Sequence, residues 1–123
     1  MPEPVLPTHE RTMRSKGYVG EFERLVLLAA LRLRSQAYGP AIAAELEERA
    51  GRRVSRGALY GTLDRLEAKG FVRWTMRPGT EERSGQPLRL FQVTDSGLET
   101  LRASREAVRQ LEAGLEDLLS EGG

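Results

Sequence analysis

Residues 55–70 read SRGALYGTLDRLEAKG, a stretch that carries its own start, its own stop and two unlike faces. Ser55 offers a hydroxyl to the first amides of a helix, and Val54 stands where it can staple onto Leu59. Gly70 is placed to close that helix in a left-handed conformation, with Phe71 as the hydrophobic contact of a Schellman-type stop. Leu59, Leu63 and Leu66 recur at steps of four and three, which puts them on one apolar stripe. The far side is small or charged: Gly57, Gly61 and Ala68 with Asp64 and Arg65, flanked near the N-terminal end by Arg56 and Tyr60. Such a face suits close approach to a nucleic-acid groove, with the helix amides aimed at phosphate and Arg56 and Tyr60 supplying reach. The competing reading of this one segment is an amphipathic helix that turns a polar face to water.

The segments before it supply a frame. From Gly20 to about Arg34 the chain is strongly apolar, with Phe22, Leu25, Val26, Leu28, Ala29 and Leu33 on more than one face, as a central supporting helix requires. Ser35 to Gly39 breaks that helix. Pro40 fits the first position of a second, which runs to about Ala50 with Ile42, Ala43 and Leu46 inward, and Gly51 stops it. Two helices joined by the short GRRV connection, the second bearing basic residues, form a helix-turn-helix pattern.

Past Gly70 the period falls to two. Val72, Trp74 and Met76 alternate with Arg73, Thr75 and Arg77, a half-buried strand, and Leu88–Val93 forms a second after the polar loop Pro78–Pro87. The resulting hairpin is a wing, with Arg77, Arg83 and Arg89 placed to meet a nucleic-acid backbone. Trp74 is read as cross-strand packing rather than a ligand stacker. Thr94 then begins a cap, and Asp95 to about Leu119 is expected as one helix of about 37 Å. In it Leu101, Ser104, Val108, Leu111, Leu115 and Leu118 alternate at threes and fours, as along a coiled-coil seam. A helix outreaching so small a body is expected to bury Leu101, Val108, Leu111, Leu115 and Leu118 against a second copy; packing against its own body is the alternative.

Charge separates along the chain although the totals nearly cancel, at 19 Lys and Arg against 18 Asp and Glu. Gly51–Gly70 sets Arg52, Arg53, Arg56, Arg65 and Lys69 against Asp64 and Glu67, a balance of +3. Phe71–Val93 carries +2, and from Thr94 onward the balance is −4. The basic part thus centres on the proposed reading elements.

Composition excludes other classes. With no cysteine there is no disulfide, thiolate nucleophile or cysteine-held metal. The single histidine, His9, has no carboxylate cluster beside it and is read as solvated. Neither a Gly-rich phosphate loop nor a catalytic constellation is present, so the chain is read as no enzyme, with no cofactor, no metal and no catalytic residue. No apolar run approaches a membrane span and no signal segment opens the chain, so a cytoplasmic location is expected. The expected organisation is a flexible arm at 1–19, a winged helix-turn-helix domain at 20–93, a dimerisation helix at 94–119 and a disordered tail at 120–123. The arm is read as disordered, with contact of Arg11, Arg14 and Lys16 to the minor groove as the alternative.

Three motifs, in order and at fitting spacing, resemble the PadR family of bacterial transcriptional regulators. Tyr38-Gly39-Pro40-Ala41-Ile42 followed by Leu46 resembles its second-helix signature, and Ser55–Glu67 with Gly57, Leu59, Tyr60 and Leu63 resembles its recognition helix. Gly85-Gln86-Pro87 through Phe91, Val93, Thr94 and Gly97 resembles the wing and the entry to the last helix. The chain departs from the pattern at Gly61, where the family often has proline, and at Gln86 and Leu88, wing positions that are frequently basic. The resemblance implies a homodimeric winged-helix repressor of the small class with a single C-terminal helix. In it Tyr60 and the start of its helix meet double-stranded DNA, the wing holds phosphates, and any small-molecule effector sits near the dimer interface.

The combined expectation is an α+β, mainly α, winged helix-turn-helix regulator that reads a roughly palindromic operator. Its DNA contacts are expected from Ser55, Arg56, Gly57, Tyr60, Gly61, Arg65, Arg77, Arg83 and Arg89. The rival function is a winged-helix module that binds protein and touches DNA weakly or not at all.

Overall fold

The computed structural model describes residues 19–79 and 85–120. Most of the N-terminal arm, Arg83 of the expected wing loop and residues 121–123 lie outside the described residues. The elements run α1 (Glu21–Leu33), a 3-10 turn (Arg34–Gln36), α2 (Gly39–Ala50), α3 (Arg56–Ala68), β1 (Val72–Arg77), β2 (Leu88–Val93), α4 (Asp95–Glu112) and α5 (Glu116–Leu119). This is the expected mainly helical winged helix-turn-helix, with one small antiparallel hairpin.

The core gathers one stripe from each of the first three α-helices: Val26, Leu27, Ala29 and Ala30 of α1, Ile42 and Leu46 of α2, and Leu59, Leu63 and Leu66 of α3. Phe71, Val72, Phe91 and Leu101 close it from the hairpin and α4. α1 lies at its centre and packs on α2, α3, β2 and α4. It is less enclosed than its composition suggests, because Leu28 and Leu31 are exposed on one side.

The ends of α3 form through local bonds. Ser55 Oγ accepts the Ala58 amide at 3.1 Å, and Gly70, at φ +82°, lets Gly70 N donate to Glu67 O and Phe71 N to Leu66 O, both at 2.9 Å. These are the two bonds of a Schellman stop, and buried Phe71 packs in one core with buried Leu66.

The strands pair in register from Val72↔Val93 to Arg77↔Leu88, with Trp74 opposite Phe91. β2 also borders the turn before α2: Phe91 N donates to Ala37 O at 2.9 Å, and Tyr38 bridges to Leu90. The alternation expected of β1 ends early. Met76 is 55% exposed because the hairpin projects past the core at that point.

The last helix differs most from expectation. It stops at Glu112; Ala113 turns to φ −59°, ψ 130° and Gly114 takes φ +88°, after which α5 adds one short turn. The straight part therefore spans 18 residues, about 27 Å, and not 37 Å. The physical reason is the glycine: Gly114 accepts the left-handed conformation at little steric cost and ends the helix. Leu101 also departs from the seam, since it is buried in its own domain's core, whereas Leu111, Leu115, Leu118 and Leu119 are all exposed.

Candidate nucleic-acid interface

Helix α3 buries Leu59, Thr62, Leu63 and Leu66, so Gly57, Gly61, Asp64 and Ala68 face outward by helical spacing. Two flanks separate this face from the body, and each is held differently.

On the hairpin flank stand Arg56, Tyr60 and Glu67. Tyr60 is half-buried, its ring pressed against Gly39 and 6.4 Å from Phe91. Two guanidiniums lie over that ring, Arg56 at 5.4 Å and Arg89 at 5.3 Å from its centroid. Tyr60 therefore forms a wall more than a reaching arm, and exposed Arg56 supplies the reach. Arg56 and Tyr60 border an open cleft of about 430 Å³ between α3 and the hairpin, with Gly57, Met76, Pro87, Leu88 and Arg89.

Arg89 turns inward. Its guanidinium lies 4.9 Å from the Trp74 ring and 5.5 Å from Phe91, and 3.6 Å from Asp64 Oδ1. One turn further along α3, Glu67 Oε1 accepts Trp74 Nε1–H at 3.1 Å. Both carboxylates of α3 are thus engaged by the hairpin. Arg77, at the far end of β1, is exposed.

On the opposite flank Arg65 and Lys69 turn toward α1. Lys69 Nζ donates to both oxygens of Glu23, at 2.9 and 3.1 Å, and Arg65 Nε lies 3.6 Å from Glu23 Oε2. Arg65 also donates to Thr62 Oγ1 at 3.0 Å. Glu23 is buried, and burial alone would raise its pKa. The Lys69 hydrogen bond, the Gly20 amide and the two cationic charges outweigh that and hold it below 4.5.

Glu23, Asp64 and Gly39 have structural roles that the chain pattern did not disclose. For Glu23 a local signal existed, since it lies three residues past Gly20 at the head of α1 and its Oε1 accepts the Gly20 amide at 3.0 Å. Among the described residues no group of three or more His, Asp or Glu is placed to hold a metal, and no helix is long and apolar enough to cross a membrane.

A family profile described as the transcriptional regulator PadR-like family matches residues 27–103. A crystal structure of a PadR family transcriptional regulator from Eggerthella lenta DSM 2243 is 30% identical, with a TM-score of 0.61, over 83% of this chain and 88% of that one. A PadR-like transcription factor from Bacteroides fragilis (22% identity, TM-score 0.64, 89% and 98% covered) shares the fold. So does a PadR-like regulator from Bacillus cereus (22%, 0.60, 82% and 93%). Among curated proteins no significant match was found.

Proposed function

The chain belongs to the PadR-like family of transcriptional regulators, and on that premise we propose that it is a homodimeric, cytoplasmic repressor that reads a roughly palindromic operator. Paired recognition helices related by a dimer axis contact half-sites about one helical turn, near 34 Å, apart. The observation that carries the reading is the capped start of α3, where Arg56 and Gly57 are exposed beside the open cleft with the hairpin.

Ser55, Arg56, Gly57 and Gly61 are the groove-facing residues in this reading, with Tyr60 as the wall that orients Arg56. Arg77 and Arg83 hold the phosphate backbone, where contacts position without reading sequence. Arg65, tied to Glu23 and Thr62, supports α3 from behind. The second copy binds through Val108 and Leu111 of α4 and the exposed Leu115, Leu118 and Leu119 after the bend. Leu101 is withdrawn from that surface by its burial.

Selection of bound genomic fragments followed by gel shift tests this function. Specific shifts that Arg56→Ala weakens are expected. No shift on any selected fragment would favour the rival reading, in which the exposed leucines serve a protein partner.

A further inference from the structure

Arg89 is placed by sequence among the wing arginines expected to meet phosphate, yet its side chain is only 28% exposed and lies over three aromatic rings. Its charged partner, Asp64, sits in the middle of the outward face of α3, 64% exposed and 3.6 Å away. An acid at that position is unfavourable for a surface that must approach a polyanion, because like charges repel across a few ångströms even in water. The other acid of α3, Glu67, is held by Trp74 from the neighbouring strand.

We propose that Arg89 is a positioning residue that cancels the charge of Asp64 on the DNA-facing surface and locks the hairpin against α3, and that it makes no phosphate contact of its own. The inference rests on the DNA-binding reading above and deepens it. The rings of Tyr60, Trp74 and Phe91 hold the guanidinium where a flexible cation would instead extend to solvent, as planar Arg does on aromatic faces. The side chain thus joins the wing to the recognition helix, and the hairpin's angle to the groove depends on it.

The test is a double-mutant cycle on the full chain with a selected operator duplex, using Arg89→Met, Asp64→Asn and both together, each checked for retained helicity. Asp64→Asn alone is expected to leave affinity within about twofold of wild type, since the acid is already neutralised. Arg89→Met should weaken binding several-fold. Adding Asp64→Asn should recover the part of that loss due to the uncovered charge, while the part due to the lost lock remains. Asp64→Asn thus tightens binding more in the Arg89→Met background than in wild type. An independent phosphate contact predicts otherwise. Asp64→Asn would then tighten binding by the same factor in both backgrounds, and the double variant would keep a salt slope shallower by about 0.9. Either result overturns the inference.

Trp74, the chain's one tryptophan, gives a readout that needs no DNA. Arg89→Met is expected to increase quenching of its emission by acrylamide, and unchanged quenching would contradict the lock. Failure of wild type to bind any duplex would instead remove the function proposed above, while the fluorescence arm still decides the lock.

Discussion

The phenol ring of Tyr60 fills the space beside Gly39 that any side chain at that position would enter. Helix α2 thereby touches the start of α3 through backbone, and the guanidiniums of Arg56 and Arg89 both lie over the tyrosine ring. Replacing Gly39 by alanine forces the ring out. Gly39→Ala is expected to destabilise by about 1–3 kcal/mol, the usual range for overpacking, and to lower Tm by at least about 4 °C. In a Tyr60→Leu background the same change should cost less. Thermal unfolding followed by circular dichroism measures both, and equal costs in the two backgrounds would contradict the contact.

Gly57 and Gly61 behave differently. A Cβ at Gly57 meets nothing within 4 Å, and one at Gly61 meets only the Arg65 guanidinium at 3.9 Å. Neither takes a positive φ. Alanine at either site is therefore expected to stabilise the free protein by about 0.8–1.0 kcal/mol. If the helix backbone approaches the groove closely, the same substitutions weaken operator binding. Opposite signs in calorimetry and in binding are expected; stabilisation without loss of affinity would place the groove elsewhere.

Glu23 couples α1 to the end of α3 through Lys69. Glu23→Gln should cost about 1.5–3 kcal/mol at neutral pH, the scale of hydrogen bonds to charged groups. The sign with pH follows from the lowered folded pKa. The contribution is fully present above the unfolded value near 4.5 and is lost as pH falls through the lower folded value. Urea unfolding of wild type and Glu23→Gln should therefore differ at pH 7 and converge in acid below 4.5. A gap that widens on acidification would contradict the ion pair.

Leu111 and Leu118 are 78% and 80% exposed, and such leucines in sequence on one terminal segment call for a covering surface. Leu111→Glu with Leu118→Glu is expected to halve the mass seen by light scattering while leaving the helical spectrum intact. An unchanged mass would remove this segment from the dimer contact.

Much of the fold was legible because its signals are local. Ser55 caps α3 and Gly70 stops it through bonds spanning three to five residues, and such bonds are written in neighbouring residue types. The break after Glu112 was equally local, but the leucine spacing runs across Gly114 and masked the stop it signals. The site was less legible. Lys69 and Glu23 are 46 residues apart, and Arg89 meets Asp64 only because the hairpin folds back onto α3. Sequence spacing places a charge on a face; what that charge then meets is decided by tertiary packing.

Two copies holding two α3 helices one DNA turn apart is a claim about stoichiometry and spacing together. Titrating a selected operator duplex, with and without about five base pairs inserted between its half-sites, measures both at once, since half a turn moves the second half-site to the opposite side of the duplex. Two protomers per uninterrupted duplex are expected, with affinity falling steeply on insertion. One protomer per duplex, bound equally well to both, would contradict the paired-helix arrangement.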